Sequence, residues 1–327
     1  MSLIPDHHSC GNSVVMTRQF DDLDAFAAAI KPLDVTVNQL TPGRFLGTVN
    51  FADFGILKFT HVNQNQTFRA TGPKSAQDLS FAIALGANQT QVVSHGYQIK
   101  EHDLFWFDSS HETDVLTQKD SHIIFASVNM LVFHSLAEQM GCDVGQKFLQ
   151  QNFLRFHPAS LRPLRAYYQQ IAQILSSNPS LLMSSMMTSI MREDFWPLLI
   201  NTVVNRARKN RQILKPFRRY SLVKKAEEIA RSYRDKPLTL QQLCDELGTS
   251  SSALCYGFQD IFGISPMAYI KIQRLNGVRR ALKNADSSTT SVIKLAHQWG
   301  FWSPEHFGRD YKKMFGELPS ETLRRKS

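Results

Sequence analysis

Cysteine is scarce in this sequence, and Cys10, Cys142, Cys244 and Cys255 form no C-x-x-C pair. That scatter argues against a disulfide-stapled fold and a cysteine-only zinc site, and points to a reduced, cytoplasmic setting. Long apolar runs are missing as well. None reaches the roughly 18–20 residues a membrane span requires, and the most apolar stretch, Ile123 to Ala137, is interrupted by Asn129 and His134. The opening "MSLIPDHHSC" lacks the basic and apolar regions of a secretory signal. Also absent is the compact His-x-His with a following Glu that a metal-binding β-barrel uses. Nine of the eleven histidines precede residue 158, but His95, His102 and His111 stand apart, with Glu101 and Glu112 among them. The expectation is no catalytic residue, no metal and no cofactor, hence no enzyme, and no membrane partner.

Basic residues are sparse in the first part of the chain. Residues 1–205 hold 13 Lys+Arg and 17 Asp+Glu, whereas residues 206–327 hold 24 and 11. A mildly acidic part thus precedes a strongly basic one, in a chain of 327 residues that is long enough for two separate cores. The stretch "NRARKNRQILKPFRRYS" at 205–221 contains no acidic residue and reads as a linker or the leading edge of a DNA-binding surface. Basic domains gather at polyanions because neutralising phosphates releases condensed counterions. A merely solvated basic surface is the plainer reading.

From Arg44 to Val128 the chain runs in short aromatic and β-branched segments, among them "DLSFAIAL", "TQVVSHGYQI" and "SHIIFASV". Turn residues separate them at roughly ten-residue intervals, which predicts an antiparallel sandwich or small barrel. Ahead of them, "DDLDAFAAAIKPL" reads as a short helix with Asp near its start. Beyond about Ser135 the period becomes helical. Leu161, Leu164, Tyr168, Ile171 and Leu175 form one stripe, suited to helix packing or to a dimer seam, and 180–206 reads as a second apolar helix. The expected layout is α+β: a β-rich domain over 1–135, a helical dimerisation or packing region over 136–205, a basic linker over 206–220 and an all-α domain over 221–327.

The all-α domain contains a repeat. "FGISP" at 262–266 returns as "FGELP" at 315–319. Working backwards, Leu240, Leu243, Cys244 and Leu247 are matched by Val292, Leu295, Ala296 and Trp299, each set one helical face. Gly248 and Gly300 follow at once, suited to a left-handed C-cap. Next come Leu254, Phe258, Ile261 and Phe262, matched by Phe307, Tyr311, Met314 and Phe315. Each unit is helix, glycine turn, helix, glycine stop: two helices too short to stand alone, which gain stability by burying their stripes against each other. That is a helix-turn-helix, whose second helix offers its outer face to the major groove. An α-hairpin repeat of the protein-binding kind is the bland alternative. Pro266 suits the first turn of a helix that continues to about Ala285, a rod of roughly 28 Å. It could hold two reading helices near the ~34 Å spacing of successive major grooves.

With "LTLQQLCDELGTSSSALCYGFQDIFGISPMAYIKIQRLNGVRRAL" and "SVIKLAHQWGFWSPEHFGRDYKKMFGELPSETLRR", residues 220–327 resemble the tandem helix-turn-helix of the AraC/XylS family of bacterial transcription regulators. They are also similar to the branch holding ethanolamine-utilisation regulators. The resemblance implies an N-terminal jelly-roll or cupin-like domain that binds a small-molecule effector and dimerises. Implied partners are double-stranded promoter DNA, RNA polymerase and a second copy of the chain. A cupin-like metal enzyme or metal sensor fused to a DNA-binding domain is the alternative. The first reading helix would present Ser251, Ser252, Cys255, Tyr256 and Gln259, and the second Glu305, His306, Arg309, Lys312 and Lys313. Arg309 is the strongest candidate for a base contact, because guanidinium pairs two-pronged with guanine; a surface pair with Glu305 is its plain alternative. Thr239, Ser250, Ser291 and Ser303 fall at helix starts, as phosphate contacts or caps. The first reading helix departs from the family in having no Arg or Lys from Thr249 to Ile261, so weaker direct readout is expected of it. Cys255 has no nearby partner cysteine in the sequence that would make it a redox switch.

Overall fold

The computed structural model describes residues 14–30, 35–73, 77–85, 92–107, 112–141, 153–208 and 217–325. It divides into two units. Unit 1 takes Met1–Val37, Leu46–Asn65 and Ala70–Leu214; unit 2 takes Asn38–Phe45, Gln66–Arg69 and Lys215–Ser327.

The β-rich half runs β1 (Val14–Phe20), α1 (Leu23–Ala29), β2 (Thr36–Gln39), β3 (Gly47–Asp53), β4 (Leu57–Gln64), β5 (Phe68–Gly72) and β6 (Asp78–Ala84). It continues with β7 (Val92–Ser94), β8 (Tyr97–Ile99), β9 (Asp103–Phe107), β10 (Thr113–Thr117) and β11 (Ser121–Asn129). Then come α2 (Met130–Gln139), β12 (Phe153–Arg155), α3 (Pro158–Ser177), a 3-10 turn (Pro179–Met183) and α4 (Ser185–Arg208). A seven-stranded sheet has the order β1-β3-β4-β11-β6-β9-β12 and a five-stranded sheet β2-β5-β10-β7-β8. The helix expected over 180–206 is broken at its start, where Pro179 opens the 3-10 turn.

The core of unit 1 follows from two periods meeting. Along β11, Ile124, Ala126 and Val128 alternate onto one face, where they join Phe59, Phe81 and Leu104 of neighbouring strands. Helix α3 lays its stripe of Leu161, Leu164, Tyr168, Ile171 and Leu175 into the same cluster, so these five side chains are buried within their own chain. Phe59 receives Tyr168 edge-on at 6.1 Å and Phe195 of α4 at 5.0 Å. The Tyr168 hydroxyl donates to the Phe81 carbonyl at 2.8 Å, which satisfies the one polar atom that this ring carries into the core. At the sheet's far edge β12 is only three residues long. Arg155 pins it with two 2.7 Å hydrogen bonds to the carboxylate of Asp103, which is fully buried.

Unit 2 is built on α5 (Tyr220–Ser232), α6 (Leu240–Leu247), α7 (Ser251–Phe262), α8 (Pro266–Lys283), α9 (Val292–His297), α10 (Pro304–Phe315) and α11 (Pro319–Arg324). Helix α8 has 18 residues, about 27 Å at 1.5 Å each. Leu243 and Cys244 of α6 are buried with Leu254, Phe258 and Ile261 of α7, and Leu295 and Ala296 of α9 with Phe307, Tyr311, Met314 and Phe315 of α10. Three of the four expected glycine positions behave alike. Gly248, Gly263 and Gly316 are left-handed caps at φ +59°, +70° and +72°. The fourth differs: α9 ends at His297 with Gln298 as its cap, and Gly300 turns left-handed two residues later, at φ +76°. The longer turn frees Trp299 from the helix, and its indole lies against α8. A β-carbon on Gly277 would stand 2.1 Å from the ring, so glycine is required there.

The two early segments close this unit. The Gln39 backbone N–H donates to Asn276 Oδ1 and its carbonyl accepts from Asn276 Nδ2, both at 2.9 Å, while Gly43 N–H donates to the Met314 carbonyl at 3.0 Å. Arg280 donates to Asn38 Oδ1 at 2.8 Å. Arg69 is buried; it pairs with buried Glu227 of α5, donates to the Tyr269 hydroxyl at 2.7 Å and lies 5.2 Å over the ring of Phe262. Tyr269 in turn donates to Glu227.

Candidate nucleic-acid interface

Each reading helix is positioned at both ends by residues that the sequence fixes. Thr239 caps α6 with Gln242 returning the bond: Thr239 Oγ1 accepts from Gln242 N at 3.2 Å, and Gln242 Oε1 from Thr239 N at 2.9 Å. Ser250 caps α7, accepting from Ala253 N at 3.2 Å, and Ser291 caps α9, accepting from Lys294 N at 3.3 Å. Ser303 occupies the cap position of α10 yet makes no side-chain cap bond. Ser250 and Ser291 spend one acceptor site on a helix amide and keep the O–H to donate, whereas the Ser303 side chain makes no cap bond.

With one face of α7 buried, its opposite face is determined. Ser251, Ser252, Tyr256 and Gln259 are exposed and Cys255 is half-buried. Cys244 of α6 lies near enough to Cys255 for their charges to interact, so the fold brings together two cysteines that the sequence had kept apart. Burial first, then the charges of Asp245 and Cys255, pushes the Cys244 thiol up and keeps it protonated. On α10, Glu305, His306, Arg309, Lys312 and Lys313 are all exposed. Arg309 makes no ion pair with Glu305 among the described residues. The acid next to it, Asp310, is taken by Lys271 of α8 at 2.6 Å. Arg309, Lys312 and Lys313 therefore present three cations along one helix face, and among the described residues none of the three is drawn into an ion pair.

Two residues were not singled out by the sequence reading, although the second lies in the basic stretch 205–221. Trp302, immediately before α10, is 62% exposed, its ring 5.1 Å from that of His297. Its signal was there, since a large aromatic between a glycine turn and a capping serine has no core position to fill. The other is Arg219, the residue before α5, which lies against Tyr256 and Asp260 of α7. A contact between residues that far apart in sequence leaves no trace in periodicity.

His61 and His122 of the β-rich half stack on each other, their ring centroids 6.1 Å apart. His95 holds a turn at φ +50°, its ring nitrogens 2.8 Å from Ser94 Oγ and from the Glu112 carbonyl. Glu101 lies 3.8 Å from Arg165. Among the described residues no group of three or more His, Cys, Asp or Glu is gathered for a metal ion; His111 lies outside them.

Two short-helix pairs, each closed by a glycine turn and joined through one long helix, make this a tandem helix-turn-helix domain of the DNA-binding class. A helix-turn-helix domain family matches residues 243–325. The chain is 36% identical over 103 residues to the probable thc operon regulatory protein of Rhodococcus erythropolis, covering 32% of this chain and 31% of that one. It is 33% identical over 89 residues to XylDLEGF operon transcriptional activator 1 of Pseudomonas putida, 27% of each chain. It also resembles the crystal structure of a probable AraC family transcriptional regulator from Rhodopseudomonas palustris CGA009, with 38% identity over 32% of this chain and 96% of that one and a TM-score of 0.30. The C-terminal domain is of the AraC type, and the curated proteins it matches are AraC/XylS-type regulators. The matches span under a third of the length of the two curated relatives.

Proposed function

We propose that this protein is a transcription regulator that binds promoter DNA through α7 and α10 and responds to a small-molecule effector held in unit 1. The observation that carries the reading is the exposed row of Arg309, Lys312 and Lys313 on the second helix of a helix-turn-helix. A surface of that kind supplies phosphate neutralisation, and Arg309 adds a two-pronged donor for guanine. For the effector, unit 1 offers an open cleft of about 530 Å³, lined by Phe20, Asp21, Leu46, Asn63, Asp120 and His122 among others. A change of DNA affinity on binding there requires that the effector favour one of two states. The reading includes contact with RNA polymerase, a homodimer that light scattering would report, and a place in the bacterial cytoplasm. Among the described residues, no helix is long and apolar enough to cross a membrane.

The test uses the full chain and a duplex that it selects from a random-sequence pool. Affinity should fall steeply with salt, and Arg309→Ala should weaken binding by about 1–3 kcal/mol while relaxing preference at one base position. Binding that ignores salt, or none at low salt, would overturn the reading. An unchanged curve for Arg309→Ala would return that residue to the plain surface.

A further inference from the structure

We propose that Arg219, outside both helix-turn-helix motifs, is a DNA-contacting residue of the first reading unit and supplies the cation that α7 lacks. This rests on the DNA-binding reading above.

Helix α7, "SSALCYGFQDIF", contains no Lys or Arg, and its exposed Asp260 alone would repel a phosphate backbone. The structure places Arg219 along this edge. Its guanidinium carbon lies 5.5 Å from the ring centroid of Tyr256, and its Nη1 3.6 Å from Asp260 Oδ2. Tyr256 is itself 61% exposed, among the largest apolar surfaces this unit shows to solvent. The approach depends on a residue that otherwise looks misplaced. Glycine inside a helix is unfavourable, yet α7 has Gly257, next to Tyr256 and one turn before Asp260. A β-carbon there would stand 3.1 Å from Arg219 Cβ and 3.0 Å from Val223 Cγ2. Leaving it out lets the start of α5 come down onto the reading helix, which carries Arg219 to the exposed edge.

Stability does not account for this arrangement. The two side chains are 30% and 46% exposed, and ion pairs so open to water contribute little. Arg219 stands at the cap position of α5 but makes no cap bond, so it does not serve its own helix end either. An arginine with one edge toward Asp260 and its plane on Tyr256 has further N–H donors to give. Asp260 and Tyr256 then act as positioning residues for the fork. The acceptor is a phosphate oxygen or a guanine edge of the same duplex, and the two differ in what they predict.

The experiment measures binding of full-length wild type, Arg219→Ala, Arg219→Lys and Asp260→Asn to the selected duplex and to a scrambled duplex across a salt series. Arg219→Ala should bind the selected duplex about five- to a hundred-fold more weakly, with unfolding midpoints unchanged. Equal losses on both duplexes, a salt slope lower by about one and recovery in Arg219→Lys would assign a phosphate. A loss confined to the selected duplex, unrecovered by lysine, would assign a guanine. Asp260→Asn should bind both duplexes at least as tightly as wild type. Arg219→Ala with wild-type affinity and slope would overturn the inference even where Arg309→Ala is impaired. Wild type without salt-dependent binding would overturn the DNA-binding reading itself, and this one with it.

Discussion

At the scale of single residues, the clearest chemical signature lies in unit 1. His61 is buried between β3 and the end of α3, its Nδ1 3.3 Å from Asn50 Nδ2 and from Ser176 Oγ. The Asn50 amide can only donate to that nitrogen if the ring is neutral. Desolvation, and then the charge of His122 stacked 6.1 Å away, holds its pKa down to about 4. An unfolded chain takes up a proton on this ring from about pH 6.5 downward, while the folded one resists until about 4. The stability His61 contributes is therefore complete above pH 6.5, lost as pH falls from 6.5 to 4, and not lost further below that. The loss amounts to about 3 kcal/mol. Urea midpoints at pH 7.5 and 4.5 for wild type and His61→Gln isolate it, because the carboxylates titrating in the same window are common to both. Parallel pH profiles would show that the ring is not held neutral.

Elements show which parts of the fold the sequence carried openly. The tandem helix-turn-helix was legible almost residue by residue, because the apolar stripes, the hydroxyl residues at helix starts and the glycines recur in step in the two units. Where the two units diverge, the reason is local: one added residue in the second turn ends α9 early and sends Trp299 onto Gly277. Strands were legible where one face is buried. β1 was not, because "VVMTRQF" is an edge strand with no alternation of exposure, and β12 was not, because three residues carry no period. Caps also looked alike in sequence and proved unlike in structure. Ser250→Ala should destabilise by about 1 kcal/mol, since its hydroxyl satisfies a helix amide. Ser303→Ala should change stability by only a few tenths, its hydroxyl having no such bond, and weaken DNA binding if that hydroxyl meets a phosphate. Equal stability losses in chemical denaturation would refute the distinction.

For the molecule as a whole, the main division between the units falls within the basic stretch where composition changes, but two short early segments lie on the far side of it. Unit 2 includes Asn38–Phe45 and Gln66–Arg69, which sequence reading assigned to the β-rich half because they sit among strands. Nothing in "QTFR" announces that its arginine will be buried beside Glu227 and Tyr269, since burial of a charge by a partner 158 residues away has no local pattern. Energetically that arginine is not interchangeable with a surface one. With Arg69→Ala, Glu227 would keep the Tyr269 hydroxyl, while its second oxygen, buried without a hydrogen bond among the described residues, has Lys224 Nζ only at 3.9 Å. Removing one member of a buried pair strands the other's charge, at a cost of about 3–5 kcal/mol, whereas replacing both by apolar groups of similar volume is close to neutral. Arg69→Ala should therefore lower the unfolding midpoint of the full chain sharply, and the double variant Arg69→Met, Glu227→Met should recover most of it. A single variant within 1 kcal/mol of wild type would mean that Glu227 reaches water without its partner. By the same logic a fragment beginning at residue 217 lacks both early segments, and it should unfold at a lower denaturant concentration than unit 2 does within the intact chain.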